Sequence, residues 1–154
     1  MTHNVSRRSF IGTAALTGAG LLAGCGGSGG DGTPTGSAPS EVAEYLSDTD
    51  NFDGSVTDET GSDSVSVDVG TEGNGGNFAF TPAAIRVDTG TTVTWVWTGE
   101  GQQHNVVHED GDFESDQTAE EGFEFEYTFE EPQTCGYYCA PHESLGMKGA
   151  IIVE

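Results

Sequence analysis

Residues 123–129 read Phe-Glu-Phe-Glu-Tyr-Thr-Phe, and this stretch restricts the fold more than any other. Successive side chains of an extended strand point to opposite faces. The segment therefore places four aromatics on one face and Glu124, Glu126 and Thr128 on the other. On a helix the same residues would scatter aromatics and acids around the whole circumference. The pattern predicts a half-buried antiparallel strand.

The alternation recurs twice. Residues 64–69 set Val65, Val67 and Val69 against Ser64, Ser66 and Asp68, and residues 91–98 carry Val93, Trp95 and Trp97 on one face. Shorter strand candidates lie at 77–80, 84–88, 105–108, 136–139 and 148–153, punctuated by turns at 70–76, 88–90, 98–101 and 110–112. About seven or eight short strands with no long helical period predict an all-β fold, a two-sheet β-sandwich. Trp95, Trp97 and the stripe Phe123, Phe125, Tyr127 and Phe129 belong to its core.

A chain of 154 residues supports one such domain and a tail. The tail reads from the front. Ser6-Arg7-Arg8-Ser9-Phe10 precedes an apolar run over 11–23 that is too short to cross a bilayer, which takes about 20 residues. It resembles a twin-arginine export signal. Leu22-Ala23-Gly24-Cys25 resembles a lipobox, with Cys25 the lipidated first residue of the mature chain. Stable tethering would need more than one acyl chain. Three segments are expected. Residues 1–24 form the signal peptide, and 25–61 a lipid-attached flexible acidic and Gly-rich linker. Residues 62–154 form the compact domain. Within the linker, 41–46 suits a short helical turn, and Phe52 is the main candidate for burial.

The chain carries 26 Asp+Glu against 4 Lys+Arg, a formal charge of −22, and loss of Arg7 and Arg8 with the signal takes this to −24. Nucleic acid is excluded as a partner, because phosphate binding needs clustered cations. The acids alternate with apolar residues, so they read as a solvated surface. Such a surface repels copies of itself, is screened at high salt, and suits a salt-loving host and a monomer.

The chemistry is concentrated in Tyr138-Cys139-Ala140-Pro141-His142-Glu143-Ser144-Leu145-Gly146-Met147-Lys148-Gly149, which offers a thiolate, an imidazole and a thioether as C-x2-H-x4-M. Zinc prefers four strong ligands, and iron–sulfur clusters need more cysteines. Two imidazoles, one thiolate and a weak axial methionine describe a mononuclear blue-copper centre. His104, which follows the turn at 99–103, is the best second imidazole. His108 sits four residues on in a strand, far from His104, and reads as a solvated surface histidine. Cys139 ends one strand, Pro141 stiffens the turn carrying His142, and Lys148 opens the last strand. Cys135 raises the thought of a disulfide to Cys139. Four residues of extended chain separate the α-carbons by about 13 Å, and a disulfide tolerates about 7 Å at most. A free, buried Cys135 is expected. No acid–base pair marks the site as catalytic.

His104-Asn105-Val106 together with Tyr138-Cys139-x-Pro-His142-x-x-x-Gly-Met147-Lys-Gly resembles the plastocyanin-type cupredoxins, from about residue 45 to 154. The acidic body behind a lipobox looks specifically like their haloarchaeal branch, the halocyanins, and the resemblance implies a Greek-key, cupredoxin-like β-sandwich. The resemblance implies one type 1 copper per chain, held equatorially by His104, Cys139 and His142 and axially by Met147. It also implies that Asn105 braces the thiolate loop. The implied role is a mobile one-electron carrier at the extracellular face of the cell membrane. It would exchange electrons with membrane-bound redox complexes through His142, rimmed by Pro141 and Leu145. Two other readings stay open: a copper-storage or copper-delivery lipoprotein using the same ligands, and a metal-free sandwich acting as a surface module.

Overall fold

The computed structural model describes residues 33–154. The export signal, the lipobox and Cys25 lie outside them. Ten strands, one short α-helix and one 3-10 helix follow in chain order: β1 (Thr33–Ser37), α1 (Ser40–Tyr45), β2 (Ser55–Asp58), β3 (Ser64–Gly73), β4 (Gly76–Thr81), β5 (Ala84–Val87), β6 (Thr91–Trp97), β7 (Val107–His108), β8 (Glu124–Phe129), β9 (Gln133–Tyr138), the 3-10 helix (Ala140–Leu145) and β10 (Lys148–Val153). One sheet has the order β1-β2-β5-β10-β9-β7 and the other β4-β3-β6-β8. The all-β sandwich expected from the strand pattern is the one formed.

The inward positions follow the period-two pattern. Val65, Val67 and Val69 of β3, Val93, Trp95 and Trp97 of β6 and Phe129 of β8 meet Ile85, Val87, Tyr137, Ile151 and Val153 from the other sheet in one buried cluster. Tyr137 bridges the two layers, with its ring 5.3 Å from Trp95 and 4.8 Å from Phe80, both edge-on. Each such pair contributes about 0.5–1.5 kcal/mol beyond the area it buries. Phe123, Phe125 and Tyr127 are only partly buried, because β8 is the outer strand of its sheet and lacks a neighbour on one side.

The segment expected to be a flexible linker over 25–61 is folded from Thr33 onward. β1 and β2 extend the six-stranded sheet, with β2 running parallel to β5. Val42 and Leu46 of α1 and its C-terminal end, with Val56 of β2, cover Ala84, Ala150 and Ile152 on the outer face of that sheet. The reason is the near-continuous apolar run at the end of β10. A strand buried on one face would need only every second residue to be apolar, whereas Ala150, Ile151, Ile152 and Val153 are all buried. Phe52 is only partly covered, and Leu46 takes the buried place expected for it.

A second correction concerns His108. It stands opposite Tyr137 in the β7–β9 pairing, an inward position, and is 2 % exposed rather than solvated. Its ring stacks on Phe113 at 4.8 Å, and its Nδ1 accepts the Asp112 N–H at 3.1 Å.

Candidate metal centre

The ligand loop is braced as its sequence suggests. β9 ends at Tyr138, Cys139 follows, and a 3-10 helix over Ala140–Leu145 starts with Pro141 in its first turn. The helix closes on Gly146 at φ +96°, a left-handed conformation that suits glycine. The Cys139 N–H then bonds the Met147 carbonyl at 3.0 Å, and the Met147 N–H reaches the His142 carbonyl at 3.3 Å. Met147 is fully buried and joined by these two hydrogen bonds to the Cys139 and His142 backbones.

His104 lies on the segment that leads into β7, the neighbour of β9. Its N–H and carbonyl both pair with Thr118, at 2.9 and 3.0 Å. The same carbonyl accepts the Trp97 indole N–H at 3.1 Å, so a residue expected only to fill the core also fixes the backbone of this histidine. The His104 Nε2 lies 2.8 Å from the Glu100 carbonyl. A carbonyl can only accept, so Nε2 carries the proton and Nδ1 presents a bare lone pair. Gly101 makes this approach possible. It sits at φ +77°, and a Cβ there would overlap the Asn77 carbonyl and come within 2.8 Å of the His104 Nε2.

Three donor atoms converge. The His104 Nδ1 and His142 Nδ1 are 3.2 Å apart, and the Cys139 Sγ lies 3.7 Å from the first and 3.5 Å from the second. Among the described residues they form the one group of three or more His, Cys or acidic side chains arranged to hold a metal ion. Metal bonds of about 2.05 Å to nitrogen and about 2.3 Å to sulfur, set trigonally, would separate the nitrogens by about 3.5 Å and each nitrogen from sulfur by about 3.8 Å. The triangle matches to a few tenths of an ångström, so the residues fit a single shared ion.

Electrostatics fit too. Burial pulls the pKa of His104 below its ordinary value, opposed in part by the bond to the Glu100 carbonyl and aided by the neighbouring His142, and burial alone lowers that of His142. Both rings are therefore neutral donors at neutral pH. Burial pushes the Cys139 thiol up to about 11, opposed by backbone N–H groups of Asn105 and His142 aimed at the sulfur. Those N–H groups stabilise a thiolate, and a cation is what completes it.

Asn105 is buried beside the ligand loop. Its Oδ1 accepts the Ala140 N–H at 2.8 Å, tying the start of the ligand loop to the segment that carries His104. Cys135 is a free, buried thiol on extended β9, and Cys139 is likewise free. Sequence reasoning missed Phe78, whose ring lies 4.5 Å from His142 and closes that side of the site. The signal was the Asn74-Gly75-Gly76 turn before Phe78, since Asn-Gly is a strong hairpin marker and fixes which residues of β4 return to this end. It also missed the Glu100 carbonyl, a backbone group that no side-chain pattern announces.

Residues 67–154 match the model of copper binding proteins of the plastocyanin/azurin family. The chain is 52 % identical over 167 residues to a halocyanin of Natronomonas pharaonis, covering 98 % of this chain and 99 % of that protein. It is 34 % identical over 89 residues to a plastocyanin of Scenedesmus fuscus, covering 51 % of this chain and 90 % of the other. A solved mutant plastocyanin of fern superposes with a TM-score of 0.50 at 28 % identity, covering 58 % of this chain and all of that one.

Proposed function

The chain belongs to the plastocyanin/azurin family of copper binding proteins, and from that premise we propose that it carries single electrons at the outer face of a cell membrane. Its cofactor is copper. His104, Cys139 and His142 would be the equatorial donors and Met147 the axial one. Copper bound there supplies a one-electron Cu(II)/Cu(I) couple.

The protein's share is rigidity and insulation. The His104 ring is fixed by the Glu100 carbonyl, Cys139 by backbone N–H groups, and Met147 by two loop hydrogen bonds. Donors held this way stay put in either oxidation state, which keeps reorganisation small. Burial of all four keeps water away and favours a resident ion over one in transit, which supports carriage over copper storage or delivery. His142 is the more open of the two rings, 7 % exposed against 1 % for His104. Pro141 and Leu145 surround it on the exposed helix. Leu145, at 47 %, is the one exposed large hydrophobic among the described residues. This small apolar rim is where membrane-bound redox complexes, as donor and acceptor, would meet the site.

Export through a twin-arginine pathway and a lipid at Cys25 would hold the carrier on the membrane surface. The charge of −22 suits a monomer in a salty medium with no nucleic-acid partner. The observation that carries the reading is the triangle of donors at 3.2–3.7 Å. Spectroelectrochemistry tests it. One copper per chain should bleach and recover reversibly with one electron. Copper that leaves at once to a mild chelator would support delivery instead. Cys25→Ala should release the chain from the membrane fraction.

A further inference from the structure

The segment between α1 and β2 reaches back over the ligand loop. We propose that Thr49 is a positioning residue for Met147, setting the axial donor through the peptide bond that precedes it. The proposal rests on the copper reading above. Thr49 precedes the span matched by the family model, residues 67–154.

Thr49 is 5 % exposed, and its hydroxyl donates to the Gly146 carbonyl at 2.8 Å. That carbonyl belongs to the Gly146–Met147 peptide. The N–H end of the same peptide has only the 3.3 Å bond to the His142 carbonyl, beyond the usual N–H···O range. Gly146 offers no side chain to stop the plane from turning. The Thr49 bond is therefore the tighter of the two that fix it. The contact is close along its length, because a Cβ at Gly146 would overlap the Asp48 carbonyl.

Thr49 is itself pinned on both sides. Its N–H bonds the Leu46 carbonyl at 3.0 Å, and Leu46 is buried under the six-stranded sheet. Asp48 pairs with Lys148, the residue after Met147, at 3.0 and 3.1 Å. The Asp50 N–H bonds the Asn74 Oδ1 at 2.8 Å, and the Asn74 Nδ2 bonds the carbonyl of Phe78, the ring against His142. One strand of chain thus grips both sequence neighbours of Met147 and the hairpin beside the histidine. A valine would fill the same space while leaving the Gly146 carbonyl buried without a donor. In a His2Cys site the axial donor tunes the potential, so a shift of Met147 reads out at the copper.

The test compares full-length wild type, Thr49→Val and Thr49→Ser. Thr49→Val should still bind copper, about tenfold or more weakly. It should also alter the visible band pattern and move the midpoint potential. A tenfold change in preference between the two oxidation states corresponds to about 59 mV. In the metal-free protein its Met147 amide should exchange hydrogen at least about tenfold faster, as the local bond is lost. Thr49→Ser should restore all of these. Should Thr49→Val not fold, Thr49→Ala removes the same hydroxyl and carries the same test. A Thr49→Val protein that only melts earlier, with spectrum, potential and Met147 exchange as in wild type, overturns the proposal. So does a Thr49→Ser protein that shifts as far as Thr49→Val. A blue wild type in those cases leaves the copper reading standing, whereas a wild type that takes up no copper overturns both.

Discussion

Leu46→Ala tests whether residues 33–61 are part of the domain or a tether to it. Leu46 is 1 % exposed and packs with Val42, Val56, Ala84, Ala150 and Ile152. Truncation costs about 2–5 kcal/mol in a site of this kind, more where the surroundings cannot collapse. Here the floor of the cavity is Ala84 and Ala150, held in the parallel β5–β10 pairing, so a cost of about 3–4 kcal/mol is expected. With a urea slope of about 2 kcal/mol per molar, the unfolding midpoint should fall by about 1.5–2 M. The assay is urea unfolding of the metal-free protein at fixed salt, so that copper adds no mass-action term. Fluorescence of Trp95 and Trp97, which lie in the other cluster, reports global unfolding. A tethering linker would give a change within about 0.5 kcal/mol. A midpoint shift below about 0.25 M at unchanged slope would refute the packing argument.

Three further outcomes are expected. Copper uptake displaces the proton of a thiol held at about 11 while the imidazoles are already neutral. Apparent affinity in chelator competition should therefore rise about tenfold per pH unit through the neutral and mildly alkaline range, and more steeply in acid as the histidines protonate; a flat profile contradicts this. Gly101→Ala forces a Cβ onto the Asn77 carbonyl beside His104, whereas Gly111→Ala, at φ +84°, meets nothing within 4 Å. The second should cost only the left-handed backbone penalty, about 1–2 kcal/mol, and keep copper affinity. The first should lose affinity as well as stability, measured by melting and copper titration. Cys135→Ala should leave copper binding and colour intact, since Cys135 is buried on β9 outside the donor triangle; loss of colour would show that the wrong sulfur had been assigned.

The sandwich was readable wherever one face of a strand is buried and the other wet, as in β3, β6 and β8, because alternation records that directly. The C-x2-H-x4-M loop was readable because few metals want that donor set. In the segment over 33–61 the helical turn at 41–46 was readable, but its folding onto the sheet was not, since the side chains that pack there, Val42, Leu46 and Val56, are few and widely spaced. Its partner, the run Ala150–Val153 buried on both faces, was the clue that something must cover the outer side. His108 was misplaced for a related reason. A two-residue strand shows no alternation, so only its pairing with Tyr137 tells which way the ring faces. Backbone acceptors such as Glu100, and the hydroxyl of Thr49 on Gly146, depend on chain crossings that sequence spacing does not encode.

The most direct measurement is the visible absorption of the chain carrying one equivalent of Cu(II), with copper content determined on the same sample. Convergence of the Cys139 sulfur with the His104 and His142 nitrogens predicts an intense blue thiolate-to-copper charge-transfer band at one copper per chain, absent in Cys139→Ser. A weakly coloured protein, or colour of equal strength in Cys139→Ser, would contradict the account.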